Sequence, residues 1–267
     1  MNRYARTFSE LEKKGEKAFI PFATAGDPDI AISESVFKTY IDAGADILEI
    51  GFPFSDPIAD GPVNQRAATR AIHAGLTHAS FFALIKKLRN YTDIPIGILI
   101  YANSVHHQGY NTFCKNAANA GIDSLLIADM PPEEQGILSE QVKNHGLATV
   151  HIVSELTPAR RIKRICKEID AFVYVVSRLG PTGDSATLAG NVAGTLSRLK
   201  KVTDLPLCVG FGLSTPDHVK AVCEAGAEGA IIGSALVRVI EKFQSNKPLL
   251  LKKLGTMVKQ CKKATIK

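Results

Sequence analysis

Eight short apolar runs recur along this chain, each followed by a turn and then by a stretch with helical spacing. They are AFIPFAT (18–24), ADILEIG (45–51), PIGILIY (95–101), SLLIAD (124–129), ATVHIVS (148–154), AFVYVVS (171–177), PLCVGFG (206–212) and GAIIGS (229–234). Apolar side chains continue through these runs instead of alternating with polar ones, the pattern of parallel strands covered on both faces. Between them lie helical segments with start and stop signals: SFFALIKKLRN from Ser80, TPARRIKRICKEI behind Thr157, and STPDHVKAVCEAG closed by Gly226. Eight such units in 267 residues predict a (β/α)8 TIM barrel, a fold that commonly takes about 250 residues. A doubly wound sheet would ordinarily carry GxGxxG after its first strand, and the turn here is AGDPD, with one glycine. Residues 2–14 predict an extra N-terminal helix that plugs the barrel's bottom. No linker or low-complexity tract interrupts the pattern, so residues 1–267 are read as a single domain.

The net charge of +6 raises the possibility of nucleic acid, and its distribution argues against it. Residues 243–267 hold seven lysines and no acid, so the rest of the chain is close to neutral. That tail, KPLLLKKLGTMVKQCKK, reads as an amphipathic helix with a solvated basic face, and no aromatic after Phe243 interleaves with the lysines to stack bases. No apolar run approaches the roughly 20 residues needed to cross a bilayer, and the first residues lack a secretory signal's apolar stretch. Cys114, Cys166, Cys208, Cys223 and Cys261 are scattered and odd in number, which suggests reduced thiols in a cytoplasm.

A barrel of this kind places its chemistry at the C-terminal ends of its strands. There the stretch LEIGFPFSDPIADGP (48–62) sets a carboxylate, Glu49, inside an apolar run. Desolvation raises the pKa of such a group and suits it to acid–base work near neutral pH. A glutamate paired with a neighbouring cation, or pointing outward at a helix, is the alternative. Asp60 and Asp56 lie in the turns that follow, where aspartate is ordinary. Glu49 and Asp60 together could face one pocket as carboxylates in different environments. Tyr174 shares a strand face with Phe172 and Val176 and points either into the barrel mouth or into the core.

Glycines mark the late strand ends, at Gly183, Gly212 and Gly233, and Ser234 follows at a helix start. Loops after the last strands often bind phosphate in this fold, through backbone N–H groups that glycine leaves accessible. The seven histidines show no HxH or HExxH spacing, and His106–His107 sits in a loop-like stretch, so no metal site is expected. Neither a GxSxG nucleophile elbow nor a phosphate-cradling GxxxxGK[ST] loop occurs.

With these residues in place, the chain resembles the α subunit of tryptophan synthase over nearly its whole length. The matching motifs are PFATAGDP (21–28), LEIGFPFSDPIADGP (48–62), DMPPEE (129–134), SRLGPTG (177–183), GFGLSTP (210–216) and GSALV (233–237). The resemblance implies a lyase that splits indole-3-glycerol phosphate into indole and glyceraldehyde 3-phosphate by a retro-aldol reaction. It implies Glu49 as the acid–base, Asp60 as the group that holds the indole nitrogen, and Tyr174 as a residue that positions Glu49 and the substrate. Phe22, Leu99 and Tyr101 would line the indole pocket, and Thr182, Gly183, Phe211, Gly212, Gly233 and Ser234 would bind the phosphate end. Pro53, Asp56 and Pro57 would face a β subunit in an α2β2 heterotetramer. That partner carries pyridoxal phosphate, and this chain needs no cofactor of its own. The sequence departs from the family's pattern at Pro181 and Asn64, where β-branched or apolar residues are usual.

Three other functions compete. The first is another phosphate-binding barrel enzyme of the same pathway, such as an isomerase or indole-glycerol-phosphate synthase; the synthase would need a lysine at a strand end, and the eight runs contain none. A catalytically weak subunit that mainly activates its β partner keeps the same carboxylates. A basic nucleic-acid-associated barrel fits poorly with lysines confined to one tail.

Overall fold

A computed structural model describes residues 2–176 and 185–266, with the side chains of residues 185–191 excepted. The strands are β1 (Ala18–Thr24), β2 (Leu48–Gly51), β3 (Ile96–Ile100), β4 (Ser124–Ile127), β5 (Ala148–Thr149), β6 (His151–Ser154), β7 (Val173–Val176), β8 (Leu207–Gly210) and β9 (Gly229–Ile232). They form one parallel sheet in the order β5-β4-β3-β2-β1-β9-β8-β7-β6. β5 and β6, at the two ends of that order, are separated in sequence only by Val150, whose N–H donates to the Leu125 carbonyl at 3.1 Å. The sheet therefore closes into a barrel, and β5 with β6 makes up the fifth of the eight runs. The chain is a (β/α)8 barrel.

Helix α1 (Arg3–Lys14) precedes the barrel. Around it run α2 (Ile30–Asp42), α3 (Pro62–His73), α4 (His78–Tyr91), α5 (Ala102–Gln108), α6 (Tyr110–Ala120), α7 (Gly136–Asn144), α8 (Ala159–Cys166), α9 (Ser185–Lys200), α10 (Pro216–Glu224), α11 (Ser234–Phe243) and α12 (Lys247–Lys263). Their starts show why these segments coil. α4 opens with a reciprocal box, the Ser80 N–H donating to Thr77 Oγ1 at 3.2 Å and the Thr77 N–H to Ser80 Oγ at 2.9 Å, so the helix begins ahead of Ser80. In α10 the Thr215 hydroxyl caps the His218 N–H, and Gly226, at φ +104°, ends the turn. Thr157 does not cap α8; its hydroxyl accepts from the Ser154 N–H at 3.1 Å, inside the preceding loop. The histidine pair of the sequence, His106–His107, lies in helix α5 and not in a loop.

α12 buries Leu250, Leu254, Val258 and Cys261 on one side, as its spacing requires. One of its lysines leaves the solvated face: Lys262 bonds Glu16 at 2.8 Å and Asp46 at 3.0 Å. α1 closes the N-terminal end of the barrel. Its Tyr4 is buried, with the hydroxyl 2.6 Å from Ser124 Oγ and the ring 5.8 Å from that of Phe172.

Inside the barrel, alternate residues of each strand converge: Ile20, Leu126, Val150, Tyr174, Cys208 and Ile231. The residues between them, such as Ile50, Ile98, Val175 and Val209, face the helices and form the larger outer core. This two-sided burial is what made the runs continuously apolar.

Candidate active site

On β2 the alternation turns Leu48 and Ile50 outward and leaves Glu49 inside, paired in register with Phe22 of β1 and Gly97 of β3. Among the described residues no cation pairs with its side chain. The residue is 7% exposed, and among the described residues no hydrogen bond reaches its carboxyl. Burial, and then the charge of Asp60, push that carboxyl up to about 8. A neutral glutamic acid at pH 7 is the result, a proton donor set in a dry wall.

Asp60 arrives from the loop after β2. Its N–H donates to the Pro57 carbonyl at 3.0 Å, and its own carbonyl accepts from Gln65 Nε2 at 2.9 Å. Each carboxylate oxygen has one donor: Tyr101 Oη to Oδ2 at 2.9 Å, and Asn64 Nδ2 to Oδ1 at 3.3 Å. Burial raises the Asp60 pKa, and those two hydrogen bonds pull it back down. Tyr101 in turn accepts from the Ala59 N–H at 3.1 Å and stacks on Phe54, ring centroids 5.1 Å apart. Tyr174 is buried, and burial holds its phenol neutral far into alkaline pH. It fits there because Gly210, its neighbour on β8, has no side chain: a Cβ at that position would stand 2.6 Å from the Tyr174 Cζ.

One cavity, of about 200 Å³ and with an open mouth, gathers these groups at the C-terminal ends of the strands. Glu49, Asp60 and Tyr174 share its wall with Phe22 and Leu99. Phe211, Gly212, Gly233 and Ser234 form its other side. Phe211 and Gly212 both take positive φ, 72° and 82°, which for a phenylalanine costs about 1–2 kcal/mol. Such strain is kept where the local turn is needed. Gly233 ends β9 and stands at the N-cap of α11, with Ser234 as its first residue. The first N–H groups of a helix lack partners within it and attract anions.

The remaining sequence candidates fall elsewhere. Tyr101 stands behind Asp60 and does not line the cavity. Pro53 is buried under the loop, whereas Asp56 is exposed and takes a bond from Ser55 Oγ at 2.5 Å. Pro57 is half-buried beside Ile58, which is 84% exposed. Thr182, Gly183 and Pro181 lie outside the described residues. Two cavity residues with polar side chains went unassigned by sequence reasoning. Asn64 was noted only as a departure, and Arg238 not at all, although it lies four residues after Ser234, on the same helix face. Among the described residues, no group of three or more His, Cys, Asp or Glu side chains is arranged to hold a metal. No helix there is long and apolar enough to cross a membrane.

Barrel closure and a cavity at the strand ends that holds the buried Glu49 beside the half-buried Asp60 define the class: a (β/α)8-barrel enzyme. The tryptophan synthase alpha chain family model matches residues 8–266, and the chain belongs to that family. It is 42% identical to the tryptophan synthase alpha chain of Aliivibrio fischeri, over 100% of both chains. With that of Methanoregula boonei it shares 41%, over 97% of this chain and 98% of the relative. The structure is similar to tryptophan synthase subunit alpha from Legionella pneumophila, with TM-score 0.90 and 32% identity over 99% of this chain and 98% of the other. A chain of the tryptophan synthase complex from Pyrococcus furiosus matches with TM-score 0.82 and 30% identity, over 92% and 98%. The chain is accordingly a lyase of tryptophan biosynthesis that cleaves indole-3-glycerol phosphate.

Proposed function

We propose that this cleavage takes place in the cavity above β2, with Glu49 as acid and then base. The neutral Glu49 carboxyl gives its proton to the ring carbon that bears the glycerol side chain, making a cationic indolenine. The Asp60 carboxylate holds the ring N–H and offsets the new charge. Glu49, now a carboxylate, removes the proton of the adjacent side-chain hydroxyl. The carbon–carbon bond breaks, its electrons return to the ring, and indole and glyceraldehyde 3-phosphate leave with Glu49 protonated again. Tyr174 orients Glu49 and the substrate. Phe22 and Leu99 flank the indole, while Thr182, Gly183, Phe211, Gly212, Gly233 and Ser234 take the phosphate, with the Arg238 cation nearby. The observation that carries this reading is the isolated Glu49, buried and raised to about 8, in one cavity with a carboxylate fixed by two donors.

The reaction needs no metal or organic cofactor in this chain. Pro53, Asp56 and Pro57 present the loop after β2 to a β subunit, which holds pyridoxal phosphate and receives indole in an α2β2 assembly. The exposed Ile58 and Asp56 of that loop and the likeness to a chain of the P. furiosus complex favour such a partner. Residues 1–267 act as one domain, and five free cysteines suit a reducing cytoplasm. The test is to supply purified protein with indole-3-glycerol phosphate, with and without a β subunit, and measure indole. Glu49→Gln should abolish cleavage while β-subunit binding persists. A variant with near-normal turnover removes Glu49 from the mechanism.

A further inference from the structure

Asn64 sits in the first turn of α3, four residues after Asp60, and its two amide atoms have different fates. Nδ2 donates to Asp60 Oδ1 at 3.3 Å. Oδ1 is buried and without a partner among the described residues, on a side chain that lines the substrate cavity. An orphan acceptor in such a place is costly unless a ligand supplies the missing donor. The helix start gives the asparagine no capping duty: Gly61 is the N-cap with no side-chain bond, and Pro62 follows it.

We infer that Asn64 is a positioning residue that fixes the plane of the Asp60 carboxylate and, through its orphan oxygen, accepts a polar hydrogen of the bound substrate. Asp60 is gripped from two elements, by Tyr101 at the end of β3 and by Asn64 on α3, so each oxygen keeps its other lone pairs for the cavity. The pair Asp60 and Asn64 then offers two acceptors side by side. That seat suits the N–H of the indole ring and rejects a ring whose nitrogen carries a methyl group. This inference rests on the proposed reaction for its substrate, and on the geometry alone for the Asn64–Asp60 link.

The test separates the two. In a Glu49→Gln background, ¹³C NMR follows the titration of Asp60 without catalysis. Besides Glu49, the charged or titratable groups that share the site with Asp60 among the described residues are Tyr101 at the start of α5, Tyr174 on β7 and Arg238 on α11. Asn64→Leu should move the Asp60 midpoint up by about one pH unit, because a donor to the carboxylate is lost. With Glu49 present, the same substitution should lower kcat about tenfold and change KM less than threefold. Asn64→Asp, of equal size but without the donor, should do more harm than Asn64→Leu. A midpoint unmoved by Asn64→Leu would overturn the link to Asp60, whatever the activity. An unchanged kcat beside a moved midpoint would overturn its catalytic value. Absence of indole from the unmodified enzyme would instead strike the parent reading.

Discussion

Glu49→Gln changes one proton and almost no volume, so it isolates what a buried, ionisable carboxyl does to the fold. Glu49 titrates near 4.5 in an unfolded chain and at about 8 in the barrel. Folding therefore favours the neutral form. Below pH 4.5 both states are protonated and the residue imposes no penalty. Between 4.5 and 8 the unfolded chain ionises freely while the folded one resists, and wild-type stability falls by up to about 1.36 kcal/mol per pH unit. Above 8 the loss is complete. Its ceiling is about 5 kcal/mol, and some contact with cavity water lowers the expected figure to about 2–5 kcal/mol. Glutamine escapes the penalty at every pH.

The assay is thermal unfolding of both proteins at pH 5, 7 and 9. At pH 5 the two midpoints should nearly coincide. At pH 9 the variant should melt roughly 5–15 °C higher, given about 2–4 °C per kcal/mol for a chain near this size. A difference that stays constant from pH 5 to 9, or a variant that is the less stable at pH 9, would refute the reasoning, since either result means Glu49 is not held neutral. The same proton links stability to turnover. In the proposed mechanism cleavage starts from the acid form, so indole production should fall as pH rises through about 8.

Three further outcomes follow from the geometry. Gly210→Ala sets a Cβ against the Tyr174 ring, so it should destabilise the barrel by about 1–3 kcal/mol and lower kcat at least tenfold; equal kcat would show that Tyr174 has no fixed role. Phe211→Gly relieves a φ of 72° but adds about 0.5–1 kcal/mol of backbone entropy cost, so chemical denaturation should show little change while KM rises severalfold. Arg238→Ala should raise KM for the phosphorylated substrate by about tenfold at low salt and far less at 0.5 M salt, because screening weakens an exposed cation; a salt-independent effect would exclude a charge role.

The barrel was legible because its strands are buried on two faces, and hydrocarbon on both faces is hard to disguise. What the pattern missed depends on single contacts. The break at Val150 falls inside a single run, ATVHIVS, that carries no turn residue to mark it. Thr157 and Ser80 carry cap-forming hydroxyls, yet which N–H each one meets is set by the path of the chain. In the site, Glu49 stood out as a carboxylate among hydrocarbons, whereas Asp60 looked like any Asp-Gly turn. Its importance comes from Tyr101, 41 residues away in sequence, whose hydroxyl local pattern reading cannot link to it. Arg238 was within reach, since a cation one turn after a helix-start serine shares its face, but basic residues are too common on helices to single one out.

Three strand glycines, Gly97, Gly51 and Gly210, explain why this barrel has a cavity above a filled core. A barrel of eight strands is just wide enough for its interior to be packed by side chains. Below, Tyr4 fills the space above Gly97, where a Cβ would stand 2.8 Å from its hydroxyl. Above, Phe22 lies across Gly51, with a Cβ-to-ring gap of only 2.8 Å, and Tyr174 lies across Gly210. Each large ring thus leans sideways over a glycine of the neighbouring strand and leaves the centre of the mouth open. Glu49, paired in register with Phe22, borders that opening while its sides are covered by rings and backbone. The substitution pattern that carves out the cavity is therefore also what dries the carboxyl and lifts its pKa. A larger residue at Gly51 would push Phe22 inward and remove the space and the acid's access to substrate together.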